Sequence, residues 1–243
     1  MWVGQQLADG LDFWGFLGSL ILGGIILGIY TGLLGYVGAK TGLSLDLLSQ
    51  RAFGEKGSYL PSAMTSFTQI GWFGVGSFVS GGTATPNFAR FAKDGKSGAI
   101  TTVVAFFIGN SLMFFFGAVS SIFVGGNDIF EVMVRLNLFY LAVLVLGLNI
   151  WTTNDNALYT AGLGLANIFH QRKKPMVLLS GIIGTVASVW LYYNFCGWLN
   201  ILNCTLPPVG MILVLAYFMN KEDFETDQPK LKTIDWFAVA GVI

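Results

Sequence analysis

The run Leu146–Ile168, LGLNIWTTNDNALYTAGLGLANI, sets Asn149, Thr152, Thr153, Asn154, Asp155 and Asn156 inside a strongly apolar stretch. Polar side chains survive within a membrane helix where they bind something or pair with one another. With a helical advance of about 100° per residue, Asn149, Thr152, Thr153 and Asn156 fall on one face, at i, i+3, i+4 and i+7. That face is a line of neutral oxygens and amides, suited to a small dehydrated cation or to a hydrogen-bonding solute. Asn154 and Asp155 point away from it. Asp155 is a carboxylate deep in an apolar run, open to a proton-binding role or to pairing with the neighbouring amides.

A second pair lies upstream. Gln69 and Trp72 are three residues apart and share a helix face. The indole offers a flat ring for stacking, and the amide offers both a donor and an acceptor. A planar heterocycle needs both, and base–aromatic stacking contributes about 1–3 kcal/mol per base elsewhere. Taken alone, Trp72 fits ordinary core or lipid-facing bulk better, as most membrane tryptophans do. Beyond it, Ser77-Phe78-Val79-Ser80-Gly81-Gly82-Thr83 reads as an interrupted helix or a glycine-capped helix end.

Those residues need membrane helices to position them. Of the 243 residues 54% are apolar, 15% aromatic and only 11% charged. A soluble domain carries roughly 25% charged residues. Lys plus Arg and Asp plus Glu are equal at 13 each, so there is no basic footprint for nucleic acid. Cys196 and Cys204 match no metal spacing, and the single His170 sits in a basic loop, which excludes a zinc site and a His-based triad.

Apolar runs long enough to cross a bilayer, about 20 residues, occur at Phe13–Val37, Tyr59–Val79, Ala99–Val124, within Leu136–Ile168, at Val177–Asn194 and at Trp198–Met219. Trp236–Ile243 reads as the start of another. Pro207-Pro208 predicts a break in the sixth run, and Phe106, Phe107 and Phe114–Phe116 read as lipid-facing packing. Lys40, Arg51 and Lys56 follow the first run; Arg90, Lys93 and Lys96 follow the second. Both groups are read as positive-inside markers, yet they cannot lie on one side if Tyr59–Val79 crosses once. The parity is wrong by one crossing between Lys56 and Arg90.

The stretches LGIYTGLLGYVGAKTGLSL (27–45), TQIGWFGVG (68–76), SFVSGGTATPNFARF (77–91), FFIGNSLMFFFGA (106–118), the 146–168 run and GIIGTVASVWLYYNFCGWL (181–199) together resemble the cytosine permeases of the nucleobase–cation symporter family. The resemblance implies an all-α polytopic membrane protein with a five-plus-five inverted-repeat fold and discontinuous helices, incomplete in this chain. It implies one transmembrane transporter domain over 1–243, with the family's helices one (its end) to three in 1–76 and six to eleven (its start) in 77–243. About ninety residues of the family pattern are absent between Gly76 and Ser77, as judged from typical span lengths, which accounts for the parity fault.

For the site, the resemblance implies a base held by Gln69 and Trp72 on one side and Phe78 on the other. Ser77, Ser80 and Gly81 would meet its edge, with Asn154 and Asp155 assigned to the substrate or to a helix-breaking network. Sodium is implied at Asn149, Thr152 and Thr153, since hard cations take oxygen ligands. The expectation is a multi-pass cell-membrane importer, monomeric and not an enzyme, that carries cytosine with sodium and needs no organic cofactor. Its partners would be the base and the lipid bilayer. The alternatives are another planar solute (hydantoin, allantoin, uracil), proton coupling, or a non-transporting membrane fragment.

Overall fold

A computed structural model describes residues 12–75, 83–125, 129–227, 229 and 231–242. Among them every regular element is helical. The order is α1 Phe13–Thr41, α2 Leu45–Phe53, α3 Tyr59–Val75, α4 Pro86–Ala89, α5 Gly95–Val104, a π-helical turn Ala105–Gly109, α6 Asn110–Val124, α7 Ile129–Arg135, α8 Phe139–Phe169, α9 Lys173–Tyr193, α10 Phe195–Met219, α11 Lys221–Glu225 and α12 Trp236–Ala240. Among the described residues four stretches are long and apolar enough to cross a membrane: Phe13–Thr41, Gly95–Val124, Lys173–Leu191 and Asn200–Met219; the runs read at Tyr59–Val79 and within Leu136–Ile168 are not among them. The protein is all-α and multi-pass, as its apolar runs predict. The proposed junction at Gly76–Ser77 lies outside the described residues.

The chain divides into two compact units, one of Met1–Ile29 with Thr101–Thr152 and one of Tyr30–Ile100 with Thr153–Ile243. In the first, Gly24 and Gly28 of α1 lie against Phe107 of the π turn. A Cβ at Gly24 would come within 3.0 Å of the Phe107 ring and 3.2 Å of Ser111 Oγ. Small residues here let two helix backbones approach closely. Leu22, Ile26, Phe123 and Leu144 point outward, as lipid-facing side chains do.

In the second unit, α2 is a short amphipathic helix between two spans. The Ser44 side chain caps its N-terminus by accepting from Leu47 N. Leu45, Leu48, Ala52 and Phe53 form its buried face, packed on Val209, Leu213 and Tyr217 of α10. Gly54 closes α2 at φ +88, where a Cβ would lie 2.6 Å from Lys232 O. Glu55 and Lys56 then donate backbone bonds to Lys232 O and Thr233 O, which ties the end of α2 to the segment before α12.

The break predicted at Pro207-Pro208 does not occur: α10 runs through both prolines. They remove the N–H donors that would reach the carbonyls of Asn203 and Cys204. Leu202 and Leu206 on one side and Val209 and Leu213 on the other are all buried, and this packing carries the helix across the gap. Membrane helices tolerate such prolines when neighbours hold them.

Within this unit α3 and α8 meet along a hydrogen-bonded seam. Ser66 Oγ donates to Ala161 O at 3.2 Å, and Asn167 Nδ2 donates to Ser62 Oγ at 2.9 Å and to Ser58 Oγ at 3.1 Å. Gly164 lies between them with no room for a side chain. A Cβ there would be 2.1 Å from Ser66 Oγ and 2.8 Å from Ser62 O. Gly164→Ala is therefore expected to destabilise the protein by about 1–3 kcal/mol through overpacking. Gly147→Ala has nothing within 4 Å to meet and is expected to leave the melting midpoint in detergent unchanged or slightly raised. Equal midpoints for the two variants would contradict the close seam.

Candidate functional site

The seam sets the register of the predicted site. Ser62, Ser66 and Gln69 recur along one face of α3, with Ser58 just before it, while Thr153, Thr160, Gly164 and Asn167 recur along one face of α8. The bonds Ser62–Asn167 and Ser66–Ala161 show that the two helices run antiparallel. By that register Gln69 lies level with Ala157 and Thr160, one turn of α3 beyond Ser66. Gln69 is buried, as are Ala157 and Thr160. Among the described residues the Thr160 hydroxyl is enclosed without a hydrogen-bond partner.

Trp72 falls in α3 one turn beyond Gln69, and its side chain lies outside the described residues. Ser77, Phe78, Ser80 and Gly81 also lie outside them. An aromatic ring that the spacing argument did not single out does reach this level. Trp198 of α10 is buried, and its ring fills the space beside Gly71, where a Cβ would meet it at 2.1 Å. A tryptophan at the start of an apolar run has no sequence mark that separates it from ordinary bulk.

The polar run of α8 is continuous helix throughout, so Asn154 and Asp155 break nothing. Asn149 and Thr152 are exposed and Thr153 is half-buried. The Thr152 hydroxyl donates to its own helix, at 3.0 Å to Asn149 O and 3.2 Å to Leu148 O. Asn154 is half-buried, and its Oδ1 is enclosed without a partner. Asp155 is exposed, so the reading of a buried acid paired with neighbouring amides does not hold. Asn156 is exposed too.

The buried acid is Asp46, 5% exposed, on α2. Nothing in the sequence distinguishes it from a solvated loop carboxylate. Arg90, read as a topology marker, also has a packing role. It donates to Tyr159 Oη, and its guanidinium lies 4.7 Å from the Phe91 ring centroid.

Comparison with known proteins decides the family. The model of the permease family for cytosine/purines, uracil, thiamine and allantoin matches residues 1–85 and 74–229. The chain belongs to this permease family. Cytosine permease of Escherichia coli (strain K12) is 35% identical over 333 residues, covering 100% of this chain and 80% of the relative. The same identity and coverage are found with cytosine permease of Escherichia coli O157:H7. Allantoin permease of Bacillus subtilis (strain 168) is 34% identical over 82 residues, 34% of this chain and 16% of the relative. A match over 333 positions that contains all 243 residues leaves 90 positions without a counterpart in this chain. The two family matches overlap at 74–85, around Gly76–Ser77. As a family member the protein is a multi-pass membrane permease.

Thr153→Val removes a hydroxyl while nearly keeping shape. If Thr153 is a sodium ligand, uptake of labelled cytosine into liposomes is expected to lose its sodium dependence or to vanish. An unaltered sodium dependence would remove Thr153 from the ion site.

Proposed function

We propose that this permease imports a planar nucleobase, cytosine, in symport with sodium by alternating access. The observation that carries the proposal is the extent of the likeness: relatives named cytosine permease match the whole chain at 35% identity. The likeness to the allantoin permease is confined to 82 residues, which favours cytosine over allantoin. Three features of the residues support the reading. Gln69 is a buried amide on the α3 face that meets α8. Thr160 and Asn154 keep enclosed polar atoms without partners nearby along α8. The Asn149–Thr153 stretch offers neutral oxygens, the ligand type a hard cation takes.

In this mechanism Gln69 pairs with the edge of the base, Trp72 and Phe78 stack on its two faces, and Ser77, Ser80 and Gly81 meet its remaining edge. Asn149, Thr152 and Thr153 hold the co-transported sodium. One sodium ion entering down 100 mV supplies roughly 2.3 kcal/mol. At one ion per base that sustains about a fifty-fold gradient. No bond in the base is made or broken.

Counterflow separates this reading from a membrane fragment that binds or scaffolds without transport. Liposomes carrying the chain and preloaded with cytosine are expected to accumulate labelled cytosine saturably and only with sodium. Gln69→Ala is expected to weaken cytosine at least tenfold. Absence of counterflow would defeat the transport reading, and an unchanged affinity in Gln69→Ala would defeat the site.

A further inference from the structure

At the basic-loop end of the second unit, a chain of hydrogen bonds runs through three helices and ends on one carboxylate. Gln50 Nε2 of α2 donates to Asn167 Oδ1 of α8 at 2.6 Å. Asn167 Nδ2 donates to Ser62 Oγ of α3 at 2.9 Å, and Ser62 Oγ donates to Asp46 Oδ1 of α2 at 2.6 Å. Every donor in the series points toward Asp46. Asp46 and Ser62 are buried, and Gln50 and Asn167 are half-buried. Asp46 and Asn167 are 121 residues apart in the sequence, so only the fold joins them.

The surroundings favour a neutral carboxyl. The side chain bonded to Asp46 is the Ser62 hydroxyl of α3, which accepts in turn from the Asn167 amide of α8. Arg90, just after α4, lies near enough to pull the carboxyl toward ionisation. It forms no ion pair with Asp46 among the described residues, because it is turned to Tyr159 and Phe91. Arg51, Lys173 and His170 each have another partner. Arg51 donates to Asp223 O, Lys173 lies 3.3 Å from the Tyr159 ring centroid, and His170 bonds the Tyr59 hydroxyl. Burial pushes the Asp46 carboxyl up to about 6, against the smaller opposing pulls of Ser62, its own backbone N–H and Arg90.

We propose that Asp46 is the positioning residue of this end of the second unit: through Ser62 and Asn167 it locks α2, α3 and α8 into one register, and proton uptake at its carboxyl stabilises the fold that holds the lock by removing a buried charge. Ser62 and Gln69 are seven residues apart on one face of α3, about 10 Å along the axis. Asn167 and Thr160 are spaced in the same way on α8. A slip at the lock therefore moves the Gln69 level with it. Asp46 touches no solute in this account and acts only through Ser62.

The sign of the pH effect follows from the direction of the shift. A carboxyl ordinarily near 3.8 and raised to about 6 in the fold binds its proton more tightly folded than unfolded. Its stabilising contribution is complete below about pH 4 and is lost as pH rises through about 6. The test is thermal denaturation of the full chain in detergent between about pH 5 and pH 7.5, in a His170→Gln background, which leaves the chain without histidine. The parent midpoint is expected to fall by several degrees as pH rises. Asp46→Asn is expected to flatten that dependence, since the amide stays neutral and still accepts from Ser62. Ser62→Ala, which deletes a bond favouring the ionised form, is expected to keep the dependence but move it to higher pH. An Asp46→Asn protein as pH-dependent as its parent, or a Ser62→Ala transition that stays put or moves to lower pH, would overturn the proposal. The readout is stability, so a failure of cytosine transport leaves the inference standing.

Discussion

A bilayer offers no water to a stranded donor or acceptor, so polar groups at membrane depth must find partners inside the protein. The seam between α3 and α8 answers that demand. Ser58, Ser62 and Ser66 meet Asn167, Gly164 and the Ala161 carbonyl, so the backbones come close enough for hydroxyl-to-carbonyl and amide-to-hydroxyl bonds. A single interhelical hydrogen bond in a membrane contributes only about 0.6 kcal/mol on average. Here the close approach and the bonds act together, since Gly164 admits the approach and the serines use it. The level of Gln69, the depth of Thr160 and the burial of Asp46 all follow from that register.

The same constraint explains why polar atoms left over along α8 carry meaning. The Thr160 hydroxyl and Asn154 Oδ1 are enclosed without partners. In a soluble protein water would satisfy them at little expense. In the proposed function such groups are what the solute exchanges its hydration for. The neutral character of the set, amides and hydroxyls with few charges, fits an uncharged heterocycle and a monovalent ion better than an anion or a zinc-type metal.

Much of this was legible in the residues. Run length marked the four spans that begin at Phe13, Gly95, Lys173 and Asn200, because about 20 apolar residues are needed to cross and few charges interrupt them. Spacing marked the Asn149–Asn156 face, because a helix repeats predictably. The α2 lock was not legible. Asp46 sits in a polar stretch where a solvated carboxylate is the default, and its partners lie 16 and 121 positions away along the chain. Pro207-Pro208 misled because local propensity predicts a break, and tertiary packing around Leu206 and Val209 overrides it. Trp198 gave no signal because its role depends on a glycine, Gly71, in another helix.

The proposed function requires the polar face of α8 to line a watered path for solute and ion. Single cysteines at Asn149, Thr152 and Asn156, in a chain with Cys196 and Cys204 replaced by serine, test this directly in liposomes. With a membrane-impermeant thiol reagent, all three are expected to label from the aqueous phase, and cytosine with sodium is expected to slow labelling at least several-fold. Cysteines that ignore the aqueous reagent and react only with a lipid-soluble one would place this face in the bilayer and contradict the account.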